Sequence, residues 1–194
     1  MTDNPDGVRA GGGGASSDSC GGSAMSSSAA EAIVVEPIGR VISPRTVPLD
    51  DDWGSVAATI TLNADRFTPE ALNGLDAFSH IEVVYLFDRV GQESIQTSSR
   101  HPRGNVAWPK VGVFAQRAKG RPNRIGVSVC QLLAVDQLTV SVRALDAIDG
   151  SPVLDLKPYM QEFAPRGEVR QPQWSHELMA EYWTVPAPHA ADGQ

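Results

Sequence analysis

What most constrains this chain is that its apolar stretches are short, rich in β-branched residues and cut apart by glycine, proline and Asp-Gly turns. No long segment of helical period separates them. Phe78-Ser-His-Ile-Glu-Val-Val-Tyr-Leu-Phe-Asp88 and Ile125-Gly-Val-Ser-Val-Cys-Gln-Leu-Leu-Ala-Val135 are the most strand-like. Residues 33–43 read as a strand interrupted by Pro37 and Gly39, hence an edge or a bulge. Residues 55–62, 111–117 and 153–158 read as further strands. Leu138, Val140 and Val142 alternate with Thr139, Ser141 and Arg143, the pattern of a half-buried strand over 137–145. Asp149-Gly-Ser-Pro152 reads as a tight turn. Thr68-Pro-Glu-Ala-Leu-Asn-Gly74 has a cap, a first-turn proline and a terminal glycine, so it predicts one short helix. Late in the chain only residues 172–183 have helical spacing, which puts Trp174, Leu178, Met179 and Tyr182 on one face. Many short strands and few helices predict an all-β (mainly β) core, a barrel or sandwich. A doubly wound sheet, the usual nucleotide-binding scaffold, would need strands alternating with long helices, and these are absent.

The expected organisation is a Gly/Ser-rich tail over residues 1–30, a β domain over 31–165, and a C-terminal helix and tail over 166–194. The tail has too few apolar side chains to offset the entropy of ordering it, so disorder is expected there. It lacks the apolar run of a signal peptide, and no window approaches a membrane span, so a soluble, cytoplasmic protein is expected. Cys20 and Cys130 are not expected to pair; Cys130 reads as a small buried apolar residue. No Cys/His pair has zinc-ligand spacing, and no metal is expected.

The formal charge is −7, yet residues 100–130 hold Arg100, Arg103, Lys110, Arg117, Lys119, Arg121 and Arg124 and no acid. Two readings stand equally: a local site for an anion such as a nucleotide, a carboxylate or RNA, or a solvated basic loop. Within that segment, Gly120-Arg-Pro-Asn-Arg-Ile-Gly126 lacks the Gly-Lys-Ser/Thr ending of a triphosphate loop and leads into a strand. Pro122 fixes one backbone angle and Asn123 tolerates left-handed geometry, so a rigid turn aiming Arg121 and Arg124 is one reading and a plain turn the other. His80, Glu82 and Asp88 share a strand face too spread out for one metal shell. His101 has no Gly-x-Ser-x-Gly partner, which argues against a hydrolase. Trp108 could stack on a base or simply pack. Asp146 and Asp149 flank a strand-to-turn transition, where a carboxylate could accept from a ribose or an amine.

Taken together, Phe78-Ser-His-Ile81, His101-Pro-Arg-Gly104, Val111-Gly-Val-Phe-Ala-Gln-Arg117, Arg121-Pro-Asn-Arg-Ile-Gly-Val-Ser128 and Leu145-Asp-Ala-Ile-Asp-Gly-Ser-Pro-Val-Leu-Asp-Leu-Lys-Pro-Tyr159 resemble the YaeB/TsaA-like, TrmO-type family over residues 33–165. The resemblance implies a single-sheeted β-barrel that binds S-adenosyl-L-methionine near a homodimer interface. It implies methylation of N6 of threonylcarbamoyladenosine at position 37 of the tRNA anticodon loop. It implies cofactor contacts at Phe87, Asp88, Arg117, Val127, Leu145, Asp146, Ala147, Ile148, Asp149 and Gly150. RNA or substrate contacts are expected at Arg103, Arg121, Asn123, Arg124, Lys157 and Tyr159. Three departures stand out: Asp88 replaces a frequent histidine, Arg124 replaces a frequent proline, and Pro48-Leu-Asp-Asp-Asp-Trp-Gly54 replaces a Pro-Arg-Gln-type loop.

Methyl transfer from a sulfonium requires alignment and exclusion of water, with no metal. A carbamoylated N6 nitrogen is a weak nucleophile with a more acidic proton, so a carboxylate base is expected, Asp88 or Asp149. Rival readings are a methyltransferase of the same fold acting on another amine, and a non-catalytic module for an adenosyl ligand.

Overall fold

The computed structural model describes residues 32–185. The tail expected over 1–30 and the last residues of the C-terminal tail lie outside the described residues. Residues 32–34 carry no regular element.

The sheet closes on itself. Gly39–Ile42 (β1), Ala57–Leu62 (β2), His80–Leu86 (β3), Ile125–Asp136 (β6), Thr139–Arg143 (β7) and Pro152–Pro158 (β8) form a barrel in the order β1-β2-β7-β6-β3-β8, every pair antiparallel. The all-β expectation holds. Ser99–Arg100 (β4) and Val111–Gly112 (β5) make a separate two-stranded ribbon. The longest helix among the described residues is Gln173–Met179 (α1).

Period-two alternation sends Val41, Ala58, Ile60, Leu62, Ile81, Val83, Val140, Val142 and Val153 inward, where they form one buried core. Cys130 is part of it. At the same parity, near one end, come Tyr85, Gly126 and Ser128. Gly126 lies opposite Tyr85 in the ladder, and a Cβ there would sit 2.3 Å from the tyrosine ring. The glycine is therefore the space that the ring occupies.

Two strand expectations need correction. Residues 111–117 are not one strand: pairing stops at Gly112 because β4 offers only two residues, and Val113–Ala115 turn into a 3-10 helix. The buried Gln116 side chain donates to the carbonyls of Val111 (3.0 Å) and Arg100 (3.3 Å), which holds that turn. Residues 33–37 form no strand; the first barrel strand starts at Gly39, with Ile38 already donating to Val153 O at 2.8 Å. The short helix at 68–74 is 3-10 over Pro69–Leu72. Over residues 172–183 Trp174, Leu178, Met179 and Tyr182 are half-buried, as the spacing predicts, and Ser175 joins them.

Candidate active site at one end of the barrel

The ends of β1, β3 and β7 and the starts of β2, β6 and β8 meet at one end of the barrel. Three loops rise from it: residues 43–56, 87–124 and 144–151. Leu145 and Ala147 are buried and plug the core, which leaves Asp146 between them facing a polar cluster. The Tyr85 hydroxyl donates into Asp146, 2.8 Å from Oδ1 and 3.0 Å from its carbonyl oxygen. Ser128 Oγ also donates to Oδ1. The Tyr182 hydroxyl, from the segment after α1, donates to Oδ2 at 2.6 Å. One carboxylate thus gathers three hydroxyl donors, and among the described residues no cation pairs with it.

Burial, then the charge and hydrogen bond of Asp146, push the Tyr85 hydroxyl well above the ordinary tyrosine value. The same causes raise Tyr182, with Arg103 and Arg117 pulling the other way. Burial, then Asp146, pushes the Cys130 thiol up to about 12. A group whose folded pKa is raised stabilises the fold fully below its unfolded pKa and loses that contribution as pH rises. Stability is therefore expected to start falling above pH 9.0, the ordinary thiol value, and more steeply above 10.0, where unfolded tyrosines ionise. Each such group costs about 1.4 kcal/mol per pH unit until its folded pKa is reached. Urea midpoints between pH 8 and 11 check this; a flat profile contradicts the buried cluster.

Asp149 is already employed. Its Oδ1 accepts from the Ser43 amide (3.1 Å), its amide donates to Arg45 O (2.7 Å), and its carbonyl accepts from Arg89 (2.8 Å). Arg40 donates to the Gly150 carbonyl at 3.0 Å, and Gly150 turns the chain at φ 82°. Ile148 is half-buried beside them. Asp88, by contrast, is exposed just after β3, and no hydrogen bond or ion pair holds its carboxylate among the described residues. Phe87 is partly buried, edge-on to Tyr85 with ring centroids 5.1 Å apart, and its amide donates to Arg124 O. Arg117 reaches the Val127 carbonyl at 2.5 Å on the outer face of β6.

The basic segment is not a freely solvated loop. Most of its guanidinium groups are bonded within the protein. Arg121 donates to Gln116 O (2.6 Å) and Val113 O (3.3 Å), and Arg124 to Val90 O (2.8 Å). Arg103 forks onto Asp51 at 2.8 and 3.0 Å, and Lys119 lies 3.7 Å from Asp50. The acidic loop 50–52 is therefore the counter-charge of the basic one. Arg100 is different: its Nε is buried without a partner among the described residues. Left-handed geometry in the Arg121–Arg124 turn falls at Arg124 (φ 54°), not at Asn123, which is exposed. A proline cannot adopt that φ, so this turn is not the one a proline at 124 would make.

Lys157 and Tyr159 are not brought to this cluster. They lie at the far end of β8, where Lys157 pairs with Asp155 and the Tyr159 amide donates to His80 O. That opposite end carries two open depressions, lined among others by Phe67, Leu72, Gly74 and Phe78, and by Asp76 and Gln137. Neither touches Asp146. Among the described residues no group of acids, histidines and cysteines is arranged for a metal. His101 Nδ1 donates to Trp108 O (2.7 Å), and Trp108 Nε1 donates to Glu177 Oε2 (2.7 Å), so both serve loop and helix docking. Sequence reading missed Tyr85, Ser128 and Tyr182 as site residues. The available signal was polar tips at inward positions of β3 and β6.

The chain is thus a single closed antiparallel barrel with a loop-built polar cluster at one end. The model of the tRNA-methyltransferase O N-terminal domain matches residues 43–164, and the chain belongs to that family. A probable S-adenosyl-L-methionine-binding protein of Pyrococcus abyssi is 37% identical over 141 residues, covering 71% of this chain and 74% of that protein. A mouse tRNA (adenine(37)-N6)-methyltransferase is 36% identical over 111 residues, covering 57% of this chain. The match takes in only 25% of the mouse protein's length. The crystal structure of TrmO from Pseudomonas aeruginosa superposes with a TM-score of 0.58 at 28% identity, covering 72% of this chain and 62% of that one.

Proposed function

We propose that the chain is an S-adenosyl-L-methionine-dependent methyltransferase acting on N6 of adenine 37 in tRNA, and that this adenine carries the threonylcarbamoyl group. The observation that carries the reading is the family match over residues 43–164, which takes in all three loops of the polar end. The relatives named above supply the cofactor and the tRNA adenine.

The residues present suit such a cofactor. It is a cation with ribose hydroxyl and amine donors, and this end offers acceptors: the carboxylates of Asp88, unpaired among the described residues, and of Asp146, which meets no cation among them. Phe87 and Val127 offer apolar walls, and Arg117, Ile148, Asp149 and Gly150 complete the accessible set, while Leu145 and Ala147, buried in the core, support it from beneath without reaching a ligand. Bound there, the cofactor would supply an electrophilic methyl group. The chain's own residues fix the acceptor nitrogen in line and receive its proton. Of the two candidate bases Asp88 is the better placed, since Asp149 Oδ1 already holds the Ser43 amide. Arg103, Arg121, Asn123 and Arg124 would meet RNA through the donors their internal bonds leave over. Lys157 and Tyr159 would be reached only by RNA extending along the barrel.

The outer face of β6 exposes Ile125, Val127, Val129 and Leu133 beside Arg117, which supports a homodimer through this face. Sedimentation velocity would give twice the chain mass; a monomer at all concentrations refutes it. No described helix is long and apolar enough to cross a membrane, and a cytoplasmic location is proposed with the tRNA substrate.

One observation favours a second reading, the same chemistry on another amine: the acidic loop 50–52 neutralises Arg103 and Lys119. Calorimetric titration with S-adenosyl-L-methionine, then nucleoside mass analysis of tRNA from a strain lacking the chain, separates the two. Binding plus a missing methyl on the modified adenosine supports the first. Binding with unchanged tRNA supports the second, and no binding overturns both.

A further inference from the structure

We infer that Tyr182 is a positioning residue for Asp146, and that residues 173–184 form a strap that completes the polar end of the barrel. The inference builds on the cofactor reading above.

The Asp146 carboxylate is held from two sides. Oδ1 takes its bonds from barrel residues, Tyr85 and Ser128, whereas among the described residues Oδ2 takes its bond from Tyr182 alone. The barrel fixes one oxygen; without the strap the other would be free to turn toward solvent.

The strap is docked on features of two further loops. Glu181 O accepts from the Asp52 amide (3.0 Å) and Tyr182 O from the Trp53 amide (2.9 Å). Thr184 Oγ1 donates to Asp52 Oδ1 at 2.5 Å. Glu177 accepts from the Trp108 indole. At Gly54 a Cβ would stand 2.0 Å from Trp183 O, so the glycine is the space in which the strap lies. A helix of seven residues does not persist by itself, so these contacts hold it. Asp52 sits at φ 62°, an unusual conformation for a side-chain-bearing residue, where its amide and its carboxylate both face the strap. The acidic loop that replaces the family's Pro-Arg-Gln-type segment thereby acquires two functions. Asp51 clamps Arg103, and Asp52 receives the strap.

Two measurements on the full chain test this. Tyrosine labelled with 13C at Cζ is followed by NMR without cofactor: Tyr182→Phe must shift the Tyr85 resonance, because the two hydroxyls share one carboxylate. Calorimetry with S-adenosyl-L-methionine must show about tenfold weaker binding for Tyr182→Phe, while the Asp52 and Trp53 amides keep their protection from hydrogen exchange. Gly54→Ala, which touches no atom of Asp146, must weaken binding by a similar factor and expose those two amides.

An unmoved Tyr85 resonance overturns the positioning role whether or not the wild-type chain binds the cofactor. Unchanged or tighter binding in Tyr182→Phe overturns it too, as does weakening that appears only together with lost amide protection. A wild-type chain that binds no cofactor but shows the Tyr85 shift keeps the positioning claim and refutes the cofactor reading alone.

Discussion

Asp146→Ala is expected to lower the stability of the chain by about 3 kcal/mol and to abolish measurable cofactor binding. The carboxylate is the shared acceptor of Tyr85, Ser128 and Tyr182. Deleting it leaves a buried serine hydroxyl without that partner and reduces Tyr85 to the Asp146 carbonyl. A buried polar group left unpaired costs roughly 1–3 kcal/mol, far more than an exposed bond contributes. Asp146→Asn keeps the shape and lets the hydroxyls reorient, so its stability loss is expected to be about half as large. Urea unfolding by circular dichroism gives both values. Equal stabilities of wild type and Asp146→Ala would show that the cluster does not hold this end of the barrel together.

Gly126→Ala comes second and acts on the same cluster from behind. The new methyl would lie 2.3 Å from the ring of Tyr85, which is 1% exposed and held at its hydroxyl by Asp146. Either the ring leaves its place and Asp146 loses a donor, or β3 and β6 spread. Overpacking of this kind costs about 1–3 kcal/mol, and the upper end is expected because the obstacle is a rigid aromatic ring. The two substitutions share the Tyr85 hydroxyl, so the double variant should be less destabilised than the sum of the two singles. Strict additivity would contradict a common cluster.

Much of the barrel was legible because burial in a closed sheet imposes a period of two. Ile81, Val83 and Tyr85, or Val140 and Val142, declare their inward face without help from tertiary context. Residues 111–117 misled for the opposite reason. Their apolar content suits a strand, but strand length is set by the partner, and a two-residue β4 cannot be seen from β5. Closure of the barrel was not legible from the residue pattern, since it rests on β1 pairing with β8 across most of the chain, and was expected only from the family resemblance.

The candidate site was legible only through resemblance, which is what singles out Phe87, Asp88, Arg117, Val127 and 145–150. Their division of labour was not legible: Asp149 serves a turn, Asp88 stays unpaired among the described residues, and Asp146 becomes the centre of three hydroxyls. Tyr182 carries no motif, and only the docking of residues 173–184 brings it to Asp146. Charge alone did not show how the arginines are held: Arg117, Arg121 and Arg124 fold back onto backbone carbonyls and Arg103 onto Asp51, partners that lie far away or unmarked in the sequence.

The most direct test of the central proposal is transfer of an isotopically labelled methyl group from S-adenosyl-L-methionine to tRNA. Purified chain is incubated with two tRNA preparations, one carrying threonylcarbamoyladenosine at position 37 and one with plain adenosine there, and the nucleosides are resolved by mass. Label is expected on N6 of the threonylcarbamoylated adenosine and none on the plain one. Label on another nucleoside, or none on either tRNA with the cofactor bound, would contradict the proposed function.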